Sequence, residues 1–305
     1  MTGPRRAFRF GVNSVTTSAQ EWQDVARKAE ALGYSTLIAQ DHFGNQFAPL
    51  PALVAAGAVT SVLRLATLVL DNDFRHPAAV AKEAATIDVL TNGRIELGLG
   101  AGWLQSDYDK TGIPYAAPSV RMERLAESIQ ICKAVFCSEV PVSFTGKHYR
   151  VTDLDTSPRP IQKPRPPMMI GGRQRRMLAL AARKADIVGI SLLDRRGPGL
   201  PEPPSFAQKV DWVRQAAGDR FSKLEIHVNA SVVEITDTPD ATIEQAAART
   251  GQTASHVRES PGTLVGSVEA IVDQLHARRE QFSVTYYVVH GRVMDAFAPV
   301  LARLR

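Results

Sequence analysis

Apolar and polar positions change period along the chain in a repeating order. Phe8 to Asn13 (FRFGVN) alternates and carries aromatics, which predicts a strand. A helix follows, with Ser18 as N-cap, Glu21 three residues on and Gly33 as its stop. Ser35 to Gln40 (STLIAQ) reads as a buried strand, 53–63 as a helix and Leu65 to Leu70 (LATLVL) as an apolar strand. Pro77 opens a helix where its missing N–H costs nothing, and that helix ends near Asn92-Gly93. Arg94 to Gly100 is the fourth strand. Four strands beginning roughly 30 residues apart have the spacing of a strand–helix repeat.

The rhythm resumes with helices over 119–135, 177–184, 206–217, 268–282 and 295–304. Strands are predicted over 167–170, 186–190, 225–235 and 284–289. Eight strands and about eight helices in alternation favour a parallel sheet closed into a (β/α)8 TIM barrel, one domain over 1–305. Two segments interrupt it, one after strand four and one after strand six. Ser138 to Pro167 contains a hairpin around Gly146 and then many prolines; Leu193 to Ser205 is rich in Pro, Gly and Arg. Both are expected near the loops that follow strands, where barrel active sites are built, as lids or substrate walls. For the second, a plain surface insertion is an equal reading.

Composition narrows the class. With 44% hydrophobic and 22% charged residues in 305, the chain is globular and long enough for a large core without disulfides. Cys132 and Cys137 share one expected helix and match no metal spacing. No segment approaches the roughly 18 apolar residues of a membrane span, and the start lacks a signal-like apolar run, so a cytoplasmic protein is expected. A net charge of +5 and a pI near 9.3 favour acidic small molecules. The arginines are scattered without a basic, aromatic-interleaved run, which argues against nucleic acid.

Glu96 to Trp103 reads ELGLGAGW. The spacing G-x-G-x-G, after the fourth strand and with no helix starting at once, does not fit a dinucleotide fingerprint. It fits a strand end kept bare of side chains. Gly98 suits tight barrel packing; Gly100 and Gly102, nearer the strand end, are expected to contact a ligand.

The passage RHPAAVAKEAATIDVLTNGRIELGLGAGW (Arg75 to Trp103) resembles the signature of the bacterial luciferase-like monooxygenase superfamily. DHF at Asp41 to Phe43, PRPIQKPRPPMMIGG at Pro158 to Gly172 and AARKADIVGI at Ala181 to Ile190 extend the likeness in order over nearly the whole chain. It is most similar to the actinobacterial deazaflavin-dependent branch. The resemblance implies a (β/α)8 barrel that binds coenzyme F420 or FMN, often as a homodimer. It implies that Gly171, Gly172 and Arg173 hold the cofactor phosphate and that His42 lies beside the reactive ring face. It also implies a strained bulge, often with a cis peptide, under the ring at the end of strand three. Leu70 to Asp73 (LDND) departs from the small or apolar residues usual there.

The residues carry their own arguments. GGRQRR (Gly171 to Arg176) follows a strand and precedes a helix, so free N–H groups, the helix N-terminus and arginines converge on an anion. Asp41 and His42 end strand two, where barrel catalytic groups sit, and strand alternation lets only one face the cavity. His42 suits proton transfer or a hydrogen bond to a developing oxyanion. Asn72 is read either as a partner for the ring's pyrimidine edge or as part of an Asx turn. Phe43 and Trp103 are candidate pocket walls, and Arg94 and Asp88 structural polar contacts at the opposite end. Three functions compete: an F420-dependent oxidoreductase acting on a small organic molecule, an FMN-dependent monooxygenase, and a non-catalytic cofactor-binding protein.

Overall fold

The computed structural model describes residues 6–193 and 202–305. Eight parallel strands form the barrel: β1 (Arg9–Asn13), β2 (Thr36–Ala39), β3 (Arg64–Thr67), β4 (Ile95–Gly100), β5 (Met168–Gly172), β6 (Ile187–Ile190), β7 (Glu225–Asn229) and β8 (Val284–His290). It closes because β1 pairs with β8 and β3 pairs with β4, Leu65 opposite Ile95. The expected TIM barrel is the observed fold.

The covering helices are α1 (Ala19–Leu32), α2 (Pro49–Gly57), α3 (Pro77–Leu90), α4 (Gln105–Thr111), α5 (Pro118–Cys137), α6 (Arg175–Lys184) and α7 (Phe206–Ala217). α8 (Pro239–Thr250), α9 (Ala254–Glu259), α10 (Val268–Phe282) and α11 (Met294–Leu304) follow. Their ends follow from side chains. Ser18 caps α1 by accepting from the Glu21 amide, and Gly33 ends it with φ 82°. The Glu21 carboxylate accepts from the Thr16 hydroxyl, and Thr16 Oγ1 accepts the Ser18 amide, so the box closes through a third residue. α2 begins earlier than its apolar pattern predicts, because Pro49 supplies the first turn.

The main core lies between barrel and helices. A smaller cluster (Ile38, Ala66, Met169, Ile187, Tyr286, Val288) fills the barrel interior. Below it sits a charged layer: Arg9 pairs with Glu96 at 2.7 Å and with Glu225 at 3.2 Å, and Arg64 also binds Glu96. Burial alone would raise the Glu96 carboxyl, but Arg9 and Arg64 outweigh it and hold it below the usual range. Arg94 and Asp88 lie at this end. Arg94 donates to the Gly57, Leu63 and Thr91 carbonyls, and Asp88 accepts from the Gln162 amide and side chain.

Three expectations change. The hairpin exists, Val142–Thr145 against Arg150–Leu154, but it lies between α5 and β5, on the return path to the barrel rather than in a strand-to-helix loop. Its tip climbs back along α5, where Glu127 accepts the amides of Lys147, His148 and Tyr149. The stretch 225–235 is two strands, not one. The chain leaves the barrel at Ala230, and Val232–Ile235 pairs in parallel with Thr263–Gly266 in a separate two-stranded sheet. With α8 and α9 this forms an excursion after β7 that the apolar pattern concealed. The predicted insertion after strand six falls partly on 194–201, outside the described residues.

Candidate active site at the barrel mouth

His42 follows β2 at the end where the strands' carboxyl termini meet. Its Nδ1 lies 2.7 Å from Asp107 Oδ2 on α4, and the other oxygen of Asp107 accepts the Phe43 amide at 3.3 Å. Asp107 is buried, while the His42 side chain keeps 27% exposure, so the carboxylate fixes a ring that still opens to the mouth. Trp103 meets His42 edge-on, ring centres 5.8 Å apart. Phe43 packs edge-on against Phe74 at 4.9 Å. Both of these predicted wall residues are largely exposed.

Asp41 points elsewhere. Its carboxylate takes a two-pronged bond from Arg75 at 2.6 and 2.9 Å and accepts the Asp71 amide at 2.9 Å. It is 7% exposed, and these three donors occupy it, which suits anchoring the strand-three bend rather than exchanging a proton. The alternation argument thus separates the two neighbours, with His42 on the open side.

The bend itself lies two residues before the predicted LDND. Leu68–Val69 is a cis peptide, followed by the short strand Leu70–Asp71 and a helical turn at Asn72–Phe74. The apolar Leu68 and Val69 occupy the bend, so its chemistry does not depart from the expected pattern. Asp71 is a cap: it accepts the Asp73 amide and the Tyr108 hydroxyl. Burial pushes its carboxyl up to about 6, against the lowering effect of those bonds. Asn72 is buried and donates to Tyr149 Oη at the hairpin tip, 3.1 Å away, so its amide serves an internal contact.

The glycines of β4 have packing reasons. A Cβ on Gly98 would lie 2.0 Å from the Thr67 carbonyl oxygen, and one on Gly100 2.6 Å from Val69 Cγ2. Gly102 has φ 73°, and its Cβ would meet the Tyr108 hydroxyl at 1.9 Å. Protein atoms face these positions, so glycine at 98, 100 and 102 has a packing reason.

Gly171 differs. A Cβ there would meet only Val69, at 3.6 and 3.8 Å. It stands beside Gly189 of β6 in register, so two adjacent positions of the inner wall carry no side chain, with Val69 of the bend close by. At Gly172 a Cβ would strike Met177 at 2.4 Å, so glycine there serves the turn into α6. The N-cap of α6, Gln174, makes no side-chain cap bond, and Arg173 Nη1 donates to the Leu193 carbonyl at 2.9 Å. Main-chain N–H groups of this turn, with Arg173, Arg175 and Arg176, form an anion-favouring end.

Two inward groups were not anticipated from the sequence. Asn13 ends β1, and its Oδ1 is buried with no donor among the described residues, an acceptor at the mouth. His227 of β7 is 2% exposed; burial first, then Arg9, lowers its imidazole to about 3, so it is neutral. Its Nε2 has no partner among the described residues. Asp107 was also missed, although an acid following the glycine run was visible; its pairing with a residue 65 positions earlier is purely tertiary. Together the apolar bend, the Gly171–Gly189 wall, the Asn13 acceptor and the uncapped α6 turn fit a flat heteroaromatic group with a phosphate tail.

The chain resembles several known proteins. The F420-dependent glucose-6-phosphate dehydrogenase of Nakamurella multipartita is 29% identical over 245 residues, 78% of this chain and 70% of that protein. The FMNH(2)-dependent dimethylsulfone monooxygenase of Pseudomonas putida is 28% identical over 215 residues, 68% of this chain; the match spans only 56% of that relative's length. The structure of the coenzyme F420-dependent tetrahydromethanopterin reductase of Methanopyrus kandleri superposes with a TM-score of 0.76 at 18% identity, covering 98% of this chain and 100% of the other. At that identity the likeness shows the fold alone. The luciferase-like monooxygenase model matches residues 7–283. The chain belongs to the luciferase-like monooxygenase family.

Proposed function

We propose that the chain is a coenzyme F420-dependent oxidoreductase that moves a hydride between the deazaflavin and a small organic substrate. The observation that carries the reading is the His42–Asp107 pair at the mouth. When bound, the deazaflavin supplies a two-electron hydride acceptor or donor. Hydride loss from a carbon that bears oxygen requires a proton to leave that oxygen, and His42 supplies the place for it. Asp107 holds Nδ1, which leaves Nε2 as the ring nitrogen for the substrate. Asp41 acts through Arg75 and the Asp71 amide as a positioning residue for the bend.

Leu68, Val69 and the Gly171–Gly189 wall would seat the ring, and Asn13 Oδ1 would accept from one of its N–H groups. Gly171, Gly172 and Arg173 would hold the phosphate. An FMN-dependent monooxygenase is the second reading, favoured by the P. putida relative, whose identity to this chain is nearly that of the F420-dependent one.

Anaerobic turnover with F420 tests the choice. His42→Ala should keep cofactor affinity within a few-fold while turnover falls by roughly 10²–10⁴, the usual worth of a general acid or base. Asp107→Asn should lower turnover in the same direction. Activity that needs oxygen and reduced FMN would replace this reading with the second.

A further inference from the structure

We infer that His227 belongs to the ring seat: its Nδ1–H donates to a carbonyl oxygen of the flat ring that lies against Gly171 and Gly189. The inference rests on the seat described in the reading above and holds for either cofactor, since both carry carbonyl oxygens on the pyrimidine edge of the ring.

Strand register places His227 in that wall. Gly171 of β5 pairs with Gly189 of β6, and Gly189 pairs with His227 of β7, so the three form one row across neighbouring strands. His227 is buried, with its ring edge-on to Tyr286 inside the barrel, ring centres 4.9 Å apart. The imidazole leans over Gly189. A Cβ there would lie 3.4 Å from His227 Nδ1, 3.5 Å from Gly171 Cα and 3.6 Å from Met169 Sδ. Along the row from Gly171, the first side chain met is therefore this imidazole, and Nδ1 is the atom it turns to the wall.

The other nitrogen fixes the tautomer. Nε2 is buried and has no partner among the described residues. Burial keeps the ring neutral, so it carries one proton. A proton on Nε2 would bury an unpaired N–H, whereas a proton on Nδ1 leaves only a lone pair behind. Nδ1 is then a donor aimed at the glycine wall. Filling the space over Gly189 needs no nitrogen, because a leucine would cover it without taking two polar atoms out of water. An acceptor on the seated ring gives the donor its use. Asn13 Oδ1, on the far side of β8, supplies the matching acceptor for a ring N–H.

Equilibrium titrations with oxidised F420 and oxidised FMN test this on the wild type, His227→Leu and His227→Asn. Asparagine keeps an N–H near the place of Nδ1, and leucine keeps bulk alone. His227→Leu should weaken binding at least tenfold, as an unpaired buried carbonyl does, and His227→Asn should hold it within about threefold. Equal affinities in all three folded proteins would overturn the inference and leave the cofactor reading standing. Binding of FMN alone, with the same dependence on His227, would remove the F420 reading and leave the inference in place. If neither cofactor binds the wild type, both fall. A second measurement needs no variant. In wild-type protein with isotope-labelled histidine, the buried imidazole that stays neutral in mild acid should carry its proton on Nδ1. That N–H resonance should move downfield when the cofactor is added. A proton on Nε2, or an Nδ1–H signal unmoved at saturation, would overturn the inference.

Discussion

Two glycines in neighbouring strands separate packing from binding at the level of single atoms. Gly98 and Thr67 exchange bonds through the threonine hydroxyl, and a methyl at Gly98 would enter the Thr67 carbonyl. Gly98→Ala should cost about 1–3 kcal/mol or prevent folding, as overpacked sites do. Gly171→Ala should stay within about 0.5 kcal/mol of the parent, since only Val69 faces it, at ordinary contact distance. Urea midpoints of the two variants check the contrast; equal losses would contradict the open wall at Gly171. His227 gives a pH test. An unfolded histidine takes a proton near pH 6.5, and the buried one only near 3, so unfolding takes up a proton between those values. Stability should therefore fall as pH drops through this window, by up to about 1.4 kcal/mol per pH unit from this group. His227→Gln should show a shallower acid slope, and an unchanged slope would mean that the imidazole is not buried neutral.

At the scale of elements, the repeat of strands and helices was legible because buried parallel strands read as apolar runs and helices carry caps. Ser18, Gly33 and Pro77 mark their boundaries in the sequence and in the fold. The excursion after β7 was not legible: the run of 225–235 passes through Asn229, Ala230 and Ser231 without a Gly or Pro, yet the chain changes sheets there. The bend of β3 was placed two residues late, because Leu68 and Val69 look like ordinary strand residues and a cis peptide has no side-chain signal outside proline. His42 was legible from position, whereas Asp107, Asn13 and His227 gain meaning only from contacts across the barrel. The hairpin supplies a prediction at this scale. Glu127 accepts three consecutive amides at its tip, so Glu127→Ala should speed hydrogen exchange at Lys147, His148 and Tyr149 and leave the barrel amides unchanged. Exchange that stays protected at all three would show that the tip is held by its own strand pairing.

The whole molecule divides its barrel into two ends. One end is a closed layer in which Arg9, Arg64, Glu96 and Glu225 answer one another. The other is an open mouth where His42, Trp103, Asn13 and the Gly171 turn converge. We propose that this mouth seats a deazaflavin with its phosphate at Gly171 to Arg173. Equilibrium titration of the purified protein with oxidised F420 and with oxidised FMN, wild type beside Gly171→Asp, tests that claim most directly. F420 should bind saturably and at least tenfold more tightly than FMN. That binding should be lost in the folded Gly171→Asp variant, because charge-assisted bonds of about 1.5–3 kcal/mol each would face a new carboxylate. Tighter binding of FMN, or F420 binding unchanged by Gly171→Asp, would contradict it.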